Sequence, residues 1–256
     1  MSADEAVRFL REHAHSRDDL DFWRSQAARL DDPVLDLGAA AGRVALALVG
    51  DGRRVWALDR SPAMVDQLER ARATMDESVA ARLHPVRADM RSFSLDQRFP
   101  LIIIAMNTLQ ALTEPADQLA CLRAARRHLA PEGEGIFDVA LPDAVEIAMT
   151  LGQERDGGSF TDPRSGVTLT HSAWYDTWDP VSQTLEFTHR VRERTRNGSE
   201  EEYLRHHRVH LFHPVEMEHL LARAGLETIA LHGDFAGGPL GPGAETQIRR
   251  CRAVSA

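Results

Sequence analysis

The segment VLDLGAAAGR, residues 34–43, joins a short apolar run to a turn made almost only of small side chains. Gly38, Ala40 and Gly42 would let a bound molecule approach the backbone closely. A helix starting at Arg43 would point its unpaired N–H groups at that molecule. A dinucleotide-binding fingerprint requires glycine at positions 38, 40 and 43, and only the first of these is glycine here. The segment therefore predicts a ligand-binding turn that is not of the nicotinamide type.

Acidic residues stand near the ends of three successive apolar runs. Asp36 precedes the small-residue turn, Asp59 follows the run 55–58, and Asp89 follows the run 83–86. In an open parallel sheet, the carboxyl ends of the strands form one edge, and ligands bind there. Asp59 is placed to accept two hydrogen bonds from a ribose diol, and Asp89 to accept one from an adenine amino group. The three carboxylates together predict a nucleoside site.

These segments resemble the class I S-adenosylmethionine-dependent methyltransferases. The similarity covers most of residues 33–252 and includes VLDLGAAAGR, ALDRSPAM, VRADMRSFSLDQRFPLIII, AMNTLQAL, LACLRAARRHLAPEGEGIFDV and LFHPVEMEHLLARAGLETIALHGDF. Within the class, the chain is most similar to small-molecule enzymes with an antiparallel insertion after the fifth strand. That group includes the N,N-dimethyltransferases of nucleotide-linked amino sugars.

The resemblance implies S-adenosylmethionine as the cofactor and a set of residues that bind it. Asp36 and Gly38 would face its methionine end, Asp59 its ribose, and Asp89 and Met90 its adenine. The full set is Asp36, Gly38, Ala40, Gly42, Asp59, Arg60, Met64, Asp89, Met90, Ala105 and Met106.

Two positions depart from the family pattern. Ala40 stands where such families usually carry glycine, which predicts a tighter backbone approach and a lower cofactor affinity. Ala111 stands where several relatives, aminosugar enzymes among them, carry a histidine that faces the substrate. The second departure weakens the case for an amino sugar as the substrate.

Two histidines lie on apolar faces of predicted strands. By alternation, His171 shares a face with Tyr175, and His189 shares one with Phe187. Each is either a packed histidine with a hydrogen-bond partner or a base that accepts a proton from the substrate. The second role is open to a buried histidine because burial disfavours the imidazolium and keeps the ring neutral. The chain contains no lysine. His171 and His189 are therefore the candidate catalytic residues, and Tyr175 is a candidate substrate contact.

Three more residues are candidate substrate contacts. Asn107 and Gln110 follow the fourth predicted strand at the ligand-binding edge, where each either contacts the substrate or caps the following turn. Trp23, on an N-terminal helix, either closes over the reactive methyl group or packs that helix on the sheet.

Two basic clusters have simpler explanations than a binding site. One cluster consists of His206, His207, His210 and His213. No carboxylate or thiolate completes a ligand set, and neighbouring histidines point to opposite faces of a strand, so we expect no metal site. The other cluster is an arginine stripe, with one arginine at every second position: Arg190, Arg192, Arg194 and Arg196. It is either a solvated strand edge or a binding strip for an acidic substrate.

Composition excludes several classes of protein. The net charge of −9 over 256 residues makes nucleic acid a poor partner, and the absence of lysine excludes Schiff-base chemistry and a phosphate-binding P-loop. Two cysteines are too few for a disulfide framework, and no apolar stretch resembles a signal peptide or a membrane span. We expect a cytoplasmic protein with a small-molecule substrate and neither nucleic acid nor membrane as partner. Monomer and homodimer both stay open.

The predicted elements alternate between strands and helices over the first part of the chain. Strands are predicted at residues 34–37, 55–58, 83–86, 101–105 and 135–139, and helices at 43–49, after Ser61-Pro62 and at about 115–129. Three alternating segments follow at about 166–176, 183–195 and 201–212, with turns at Asp179-Pro180 and Asn197-Gly198. A helix from Pro214 to Ala224 and strands at 227–231 and 246–252 complete the chain.

This pattern predicts a single α/β domain over residues 1–256. It would contain a Rossmann-like, mostly parallel sheet of seven strands with helices on both faces, and an antiparallel β cap for the substrate inserted after strand 5 at about 150–212. The expected activity is methyl transfer from S-adenosylmethionine to a nitrogen or oxygen of a small molecule. The alternative is a catalytically inactive S-adenosylmethionine-binding or regulatory protein on the same fold.

Overall fold

The computed structural model describes residues 2–13, 19–162 and 165–254. Its strands are β1 (Val34–Leu37), β2 (Val55–Asp59), β3 (Leu83–Arg87), β4 (Phe99–Ile104), β5 (Leu129–Ala140), β6 (Arg155–Thr161), β7 (Thr168–Asp179), β8 (Thr184–Arg194), β9 (Glu200–His210), β10 (Leu226–His232) and β11 (Thr246–Ala253). Its helices are α1 (Ala3–Glu12), α2 (Leu20–Arg29), α3 (Arg43–Gly50), α4 (Pro62–Ala73), α5 (Glu77–Ala80), α6 (Pro115–His128), α7 (Ala144–Thr150) and α8 (Pro214–Ala224), with a 3-10 turn at Thr108–Ala111.

Seven strands form one sheet in the order β10-β11-β5-β4-β1-β2-β3. Strands β5, β4, β1, β2 and β3 are parallel to one another, and β11 is antiparallel to both of its neighbours, β10 and β5. All four residues of β1 are buried, as expected of a strand that is covered on both faces. This confirms the prediction of a mostly parallel seven-stranded sheet. The carboxyl ends of β1, β2, β4 and β5 lie side by side at one edge of it.

Two buried clusters cover the two faces of this sheet. On one face, Leu122 of α6 and Leu221 of α8 pack in the same cluster as Ile102. On the other, Trp23 of α2 and Leu48 of α3 pack in the cluster of Ile103. Helices therefore cover both faces, as predicted. Among the described residues, no helix has both the length and the apolar character needed to cross a membrane.

Strands β6 to β9 form a second, antiparallel sheet in that order, called the cap sheet below. The three alternating segments predicted between residues 166 and 212 are β7, β8 and β9, and both predicted turns lie between them. Sequence analysis misses β6. Gly157 and Gly158 stand in its middle and remove the alternation of apolar and polar side chains.

Helix starts follow the predicted proline positions closely. Pro62 and Pro214 lie in the first turns of α4 and α8, and Gly225 ends α8 with a φ of 77°. The side chain of Ser61, in contrast, makes no capping hydrogen bond to α4. Helix α1 is an addition to the prediction, and it begins with a reciprocal pair of hydrogen bonds between Ser2 and Glu5.

Gln110 joins the cap sheet to the main sheet. Its side chain is 2% exposed and lies between the end of β5 and the end of β9. Its Nε2 donates to the carbonyl oxygens of Ala140 and His210 at 3.2 and 3.1 Å, and its Oε1 accepts from the Ala140 N–H at 3.1 Å. One buried amide thus fixes the chain after β4 against both sheets.

We expect Gln110→Leu to lower the free energy of unfolding by about 3 kcal/mol. The substitution keeps the side-chain volume similar but leaves buried backbone groups of Ala140 and His210 without their partner. Gln153→Leu is the matched control, because Gln153 is exposed and its loss should change stability by less than about 1 kcal/mol. Urea denaturation of both variants measures the difference. Equal stabilities would contradict the role given to Gln110.

Candidate functional site

The small-residue turn after β1 has a left-handed backbone at three positions. The φ angle is 72° at Gly38, 48° at Ala40 and 93° at Gly42. Glycine adopts such angles freely, whereas alanine pays about 1–2 kcal/mol. Asp59 compensates at Ala40, because its Oδ2 accepts the Ala40 N–H at 2.9 Å while its Oδ1 accepts the Ser61 N–H at 2.8 Å. The end of β2 thus holds the turn after β1.

Gly38 lies too close to its neighbour to carry a side chain. A Cβ atom at this position would be 2.3 Å from the Cγ2 atom of Thr108. Thr108 is itself held by a hydrogen bond from its hydroxyl to the carbonyl oxygen of Ala105, 2.6 Å away. The turn after β1 and the chain leaving β4 are therefore in direct contact.

At the centre of the site lies the partly buried Arg43, the first residue of α3. Its guanidinium donates to both carboxylate oxygens of Asp19, to one of them at 2.7 Å. Asp36 is 2% exposed, and burial raises its pKa to about 7 although the positive charge of Arg43 opposes the rise. Asp36 and Asp138 both interact electrostatically with Arg43. We call Asp19, Asp36, Arg43 and Asp138 the charge cluster.

Asp138, near the end of β5, is a functional candidate that sequence analysis misses. Its two oxygens accept the N–H groups of Met106 at 2.8 Å and of Asn107 at 3.0 Å. Both residues have positive φ angles, 60° and 57°, so the carboxylate stabilises a strained turn after β4. Burial raises the pKa of Asp138 to about 6 despite these two hydrogen bonds. The signal that finds Asp36 also applies here: an acidic residue close to the end of an apolar run.

Helix α1 covers the turn from outside. Ala6 and Phe9 of α1 pack in one cluster with Ala40, Ala41 and Met64. Met64 is 2% exposed, so this predicted cofactor residue is covered in the structure described here. Helix α1 therefore lies over the backbone that was predicted to bind the ligand.

Asp89, after β3, is bound to a neighbouring arginine. The backbone N–H and the Nε atom of Arg91 both donate to its Oδ1 at 2.9 Å, and these hydrogen bonds lower the pKa of Asp89. Arg91 also donates to Asp117 of α6 at 2.6 Å, which fixes its position. Met90 is half-buried against the core of the sheet. Hydrogen bonds to α6 and within the turn thus fix this strand end.

The remaining predicted cofactor residues lie at the same edge. Ala105 follows β4 and is buried, and Met106 next to it is 37% exposed. Arg60 follows β2 and is exposed. The structure therefore brings the ends of β1, β2, β3 and β4 together as the sequence predicted.

A cavity of about 660 Å³ opens beside β5 and is lined by Asn107, Asp138, Phe235 and Thr246, among others. Its volume is typical of sites for metabolite-sized ligands. Asn107, a predicted substrate contact, is exposed at this cavity. Because Asp138 also belongs to the charge cluster, the cavity and the cluster adjoin.

The cap sheet turns one face towards α1, and we call it the inner face. His189 lies on it with Phe187, at a ring distance of 5.2 Å, and with His207 of β9, at 5.0 Å. Burial, together with the charges of His207, His171 and Arg205, lowers the pKa of His189 to about 4. His171 is half-buried opposite Val191. The two predicted bases, His171 and His189, thus lie on the same face as His207, which the sequence suggested only as part of a metal cluster.

Three other predicted contacts have clear structural surroundings. Trp23 is fully buried and donates from Nε1 to Asp19 at 2.8 Å, so it supports the charge cluster from below. Gln110 is buried at the joint between the sheets. Tyr175 packs against the apolar cluster of Leu185, with the Arg155 guanidinium 4.8 Å from its ring centre. Neither Trp23 nor Gln110 is placed to touch a substrate.

Three of the four arginines of the stripe lie on the opposite face of the cap sheet and pair with carboxylates, while Arg196 lies beyond the end of β8. The pairs are Arg190 with Glu154, Arg192 with Glu202 and Arg194 with Glu200. This pairing favours a solvated strand over a binding strip. In residues 2–13, 19–162 and 165–254, no three histidine, cysteine or acidic side chains are grouped so as to hold a metal ion.

The charge cluster fits a ligand that carries positive charge. Its single guanidinium is already bonded on two atoms to Asp19, while Asp36 and Asp138 remain buried in a low-dielectric environment. A cation placed beside them would favour their ionised forms, and a neutral ligand would not. The residues present therefore fit a cationic nucleoside such as the cofactor implied by the sequence.

Comparison with known proteins agrees with this interpretation. Residues 34–133 match the family model described as a methyltransferase domain. The structure superposes with a TM-score of 0.74 on the CcbJ methyltransferase of Streptomyces caelestis, at 25% identity over 93% of this chain and 96% of that one. It also superposes with a TM-score of 0.70 on the sugar N-methyltransferase KedS8 of Streptoalloteichus sp. ATCC 53650, at 17% identity over 96% of this chain and 92% of that one.

A curated relative is more similar in sequence over a shorter stretch. The chain is 34% identical over 142 residues to the cypemycin N-terminal methyltransferase of a Streptomyces species. The match covers 52% of this chain and 56% of the relative, so the chain spans little more than half the length of that protein.

We expect Gly38→Ala to disrupt the turn, and Thr108→Ser to rescue most of the loss. Alanine at position 38 would clash with the Thr108 methyl group, and serine removes that methyl while keeping the hydroxyl that bonds Ala105. The single variant should lose about 3 kcal/mol of stability or more, and the double variant only the 1–2 kcal/mol of left-handed strain. A double-mutant cycle by denaturation measures this coupling, and purely additive effects would refute the contact.

Proposed function

We propose that the chain is a class I S-adenosylmethionine-dependent methyltransferase and that it transfers a methyl group from S-adenosylmethionine to a nitrogen atom. The match of residues 34–133 to a methyltransferase domain supports this proposal. The acceptor is an amine of a small molecule or of a peptide. The observation that carries the proposal is the charge cluster, since two buried carboxylates with raised pKa values adjoin the ligand-binding turn.

The strand ends supply the cofactor contacts in this proposal. Asp36 and Gly38 face the methionine part, and Ala40 and Gly42 contribute backbone. Asp59 binds the ribose diol through the lone pairs that its backbone hydrogen bonds leave available. Arg60 and Met64 contribute from the chain after β2, Asp89 and Met90 from the end of β3, and Ala105 and Met106 from the end of β4.

Nitrogen is preferred to oxygen as the acceptor because of what the similar proteins are named for. KedS8 is a sugar N-methyltransferase and the cypemycin enzyme an N-terminal methyltransferase. The acidic surroundings of the cavity support the same choice, since Asp138, Asp234 and Glu245 line it. Carboxylates attract an amine in its protonated form. The inactive alternative has no supporting observation, because each strand end keeps its polar residue.

Residues 150–212 act as a substrate cap in this proposal. The inner face of the cap sheet carries His171, His189 and Tyr175, and Asn107 faces the same edge of the main sheet from below. A histidine of this face accepts the proton that an ammonium acceptor must lose before it can react. The cap therefore selects the acceptor and prepares it.

The chemistry asks little beyond alignment. S-adenosylmethionine, when bound, supplies an electrophilic methyl group on a sulfonium. The residues of the chain orient the acceptor nitrogen in line with that methyl and exclude water. Holding two reactants in this way contributes on the order of 7–11 kcal/mol to lowering the barrier. Arg43 and Asp19 act as positioning residues, because they keep Asp36 and Asp138 in place without touching the reacting atoms.

We also propose a cytoplasmic location, and a small-molecule or peptide substrate without nucleic acid. Support comes from the net charge of −9 and from Cys121 and Cys251, which are both free thiols in the structure.

We expect Asp59→Ala to weaken S-adenosylmethionine binding at least tenfold. The carboxylate would lose two charge-assisted hydrogen bonds to the ribose, each worth about 1.5–3 kcal/mol, and the turn at Ala40 would lose its anchor. Asp66→Ala is the control, since Asp66 is exposed on α4. Calorimetry measures both affinities, and incubation with methyl-labelled cofactor and a pool of amines tests transfer. Unchanged affinity in the Asp59 variant, or no binding by the parent protein, would contradict the proposal.

A further inference from the structure

Strand β9 crosses the ligand-binding edge from the first turn to the end of β4. At its start, Tyr203 and Arg205 bond to Glu12 of α1, at 2.7 and 2.9 Å, and α1 covers the turn after β1. At its end, the His210 carbonyl oxygen accepts from Gln110, in the 3-10 turn that follows Met106. His207 lies between these two anchors. It lies on the inner face of the cap sheet, between the residues that contact α1 and the residue that contacts Gln110.

The ring of His207 is held in a fixed orientation. It stacks on Phe187 of β8 with a ring distance of 4.7 Å and an angle of 11° between the planes. The strand register pairs Phe187 directly with His207. The Nε2 atom of His207 is buried and makes no hydrogen bond. A buried ring nitrogen without a partner is costly, so a group that binds to it would recover free energy.

Charged groups from each neighbouring element surround this imidazole. Arg205 and His206 flank it on β9, His189 faces it from β8, and His13 faces it from the end of α1. The α1 carboxylate Glu12 is engaged by Arg205, and on β8 the carboxylate of Glu193 is engaged by Arg11. No carboxylate bonds to His207 itself among the residues that the structure describes. The local field therefore favours a neutral His207 over a permanently charged one.

We propose that His207 is a further catalytic residue, whose Nε2 atom accepts the proton of the acceptor ammonium. This inference rests on the proposed function and assigns the base of the same site. The ammonium R–NH3⁺ gives one proton to Nε2, forming an imidazolium and neutral R–NH2. The nitrogen lone pair then forms the N–CH3 bond while the C–S bond breaks and its electron pair goes to sulfur. The products are a methylammonium and a neutral thioether, and the imidazolium releases its proton to water.

We expect His207, rather than the predicted His189, to accept the proton. Burial and neighbouring positive charges lower the pKa of both rings, and the pKa of His189 falls to about 4. A base whose pKa lies far below the working pH accepts protons poorly. This disfavours His189 as the base, and we expect acidification to protonate His207 before His189.

The test compares His207→Gln with His206→Gln, its neighbour on the same strand. His206 is exposed on the other face and bonds to Thr188, so its variant controls for any effect on β9. The probes are methyl-labelled S-adenosylmethionine with a hexosamine and with a short peptide amide that has a free amino terminus. We expect His207→Gln to lower turnover at pH 7 by about 10²-fold with cofactor affinity unchanged. Its residual rate should rise about tenfold per pH unit as free amine accumulates, and His206→Gln should stay within a few fold of the parent.

Imidazole ¹⁵N titration of the protein with the demethylated cofactor bound gives a readout that needs no acceptor. We expect His207 to titrate at higher pH than His189, with Nε2 unprotonated in the neutral form. The proposal is overturned if His189 titrates first, if neutral His207 carries its proton on Nε2, or if turnover falls in His189→Gln but not in His207→Gln. If the parent protein binds no cofactor, the proposed function is refuted instead. Failure of the His207 assignment can therefore be distinguished from failure of the proposed function.

Discussion

The site depends on four charged residues at one edge of a parallel sheet, of which Asp36 and Asp138 are buried and Asp19 and Arg43 are partly buried. Arg43 starts the helix after the ligand-binding turn, and its guanidinium is held by Asp19, which Trp23 also contacts. Asp36 and Asp138 lie on either side of β4 with almost no access to water. Burying carboxylates against a single cation is unfavourable, which is why the pKa values of both are raised. In the proposed function, the cationic cofactor offsets this cost when it binds beside them.

Each carboxylate at this edge also holds a backbone segment in place. Asp59 holds the left-handed turn at Ala40, and Asp138 holds the left-handed pair Met106 and Asn107. Charge and loop geometry are therefore coupled, since a change in ionisation at Asp138 alters the hydrogen bonds that shape the exit of β4. Helix α1 and Gln110 extend this coupling to the cap sheet, which they fasten at opposite ends of β9.

Sequence alone predicts the sheet, its helices and the acidic strand ends, because these follow from periodicity and from the small-residue turn. Prediction from sequence fails where a residue's role depends on contacts between distant segments. Gln110 follows β4 in a turn, and only the structure shows that it is buried between the two sheets. The sequence raised His207 only as part of a metal cluster, which the opposite directions of 206 and 207 made improbable, and the structure shows that this alternation places His207 on the inner face with His189. Strand β6 lacks alternation because of its two glycines, and its pairing with β7 compensates.

The most direct test of the central claim is proton release on cofactor binding, measured by calorimetry at pH 7 in buffers of different ionisation enthalpy. Because the pKa of Asp36 is raised to about 7, part of the free protein carries a proton there, and stability falls as pH rises from about 4 to 7. Binding of S-adenosylmethionine should release about half a proton, its neutral demethylated product clearly less, and Asp36→Asn should abolish most of the difference. Equal proton release for both ligands would contradict a charge cluster matched to a cation.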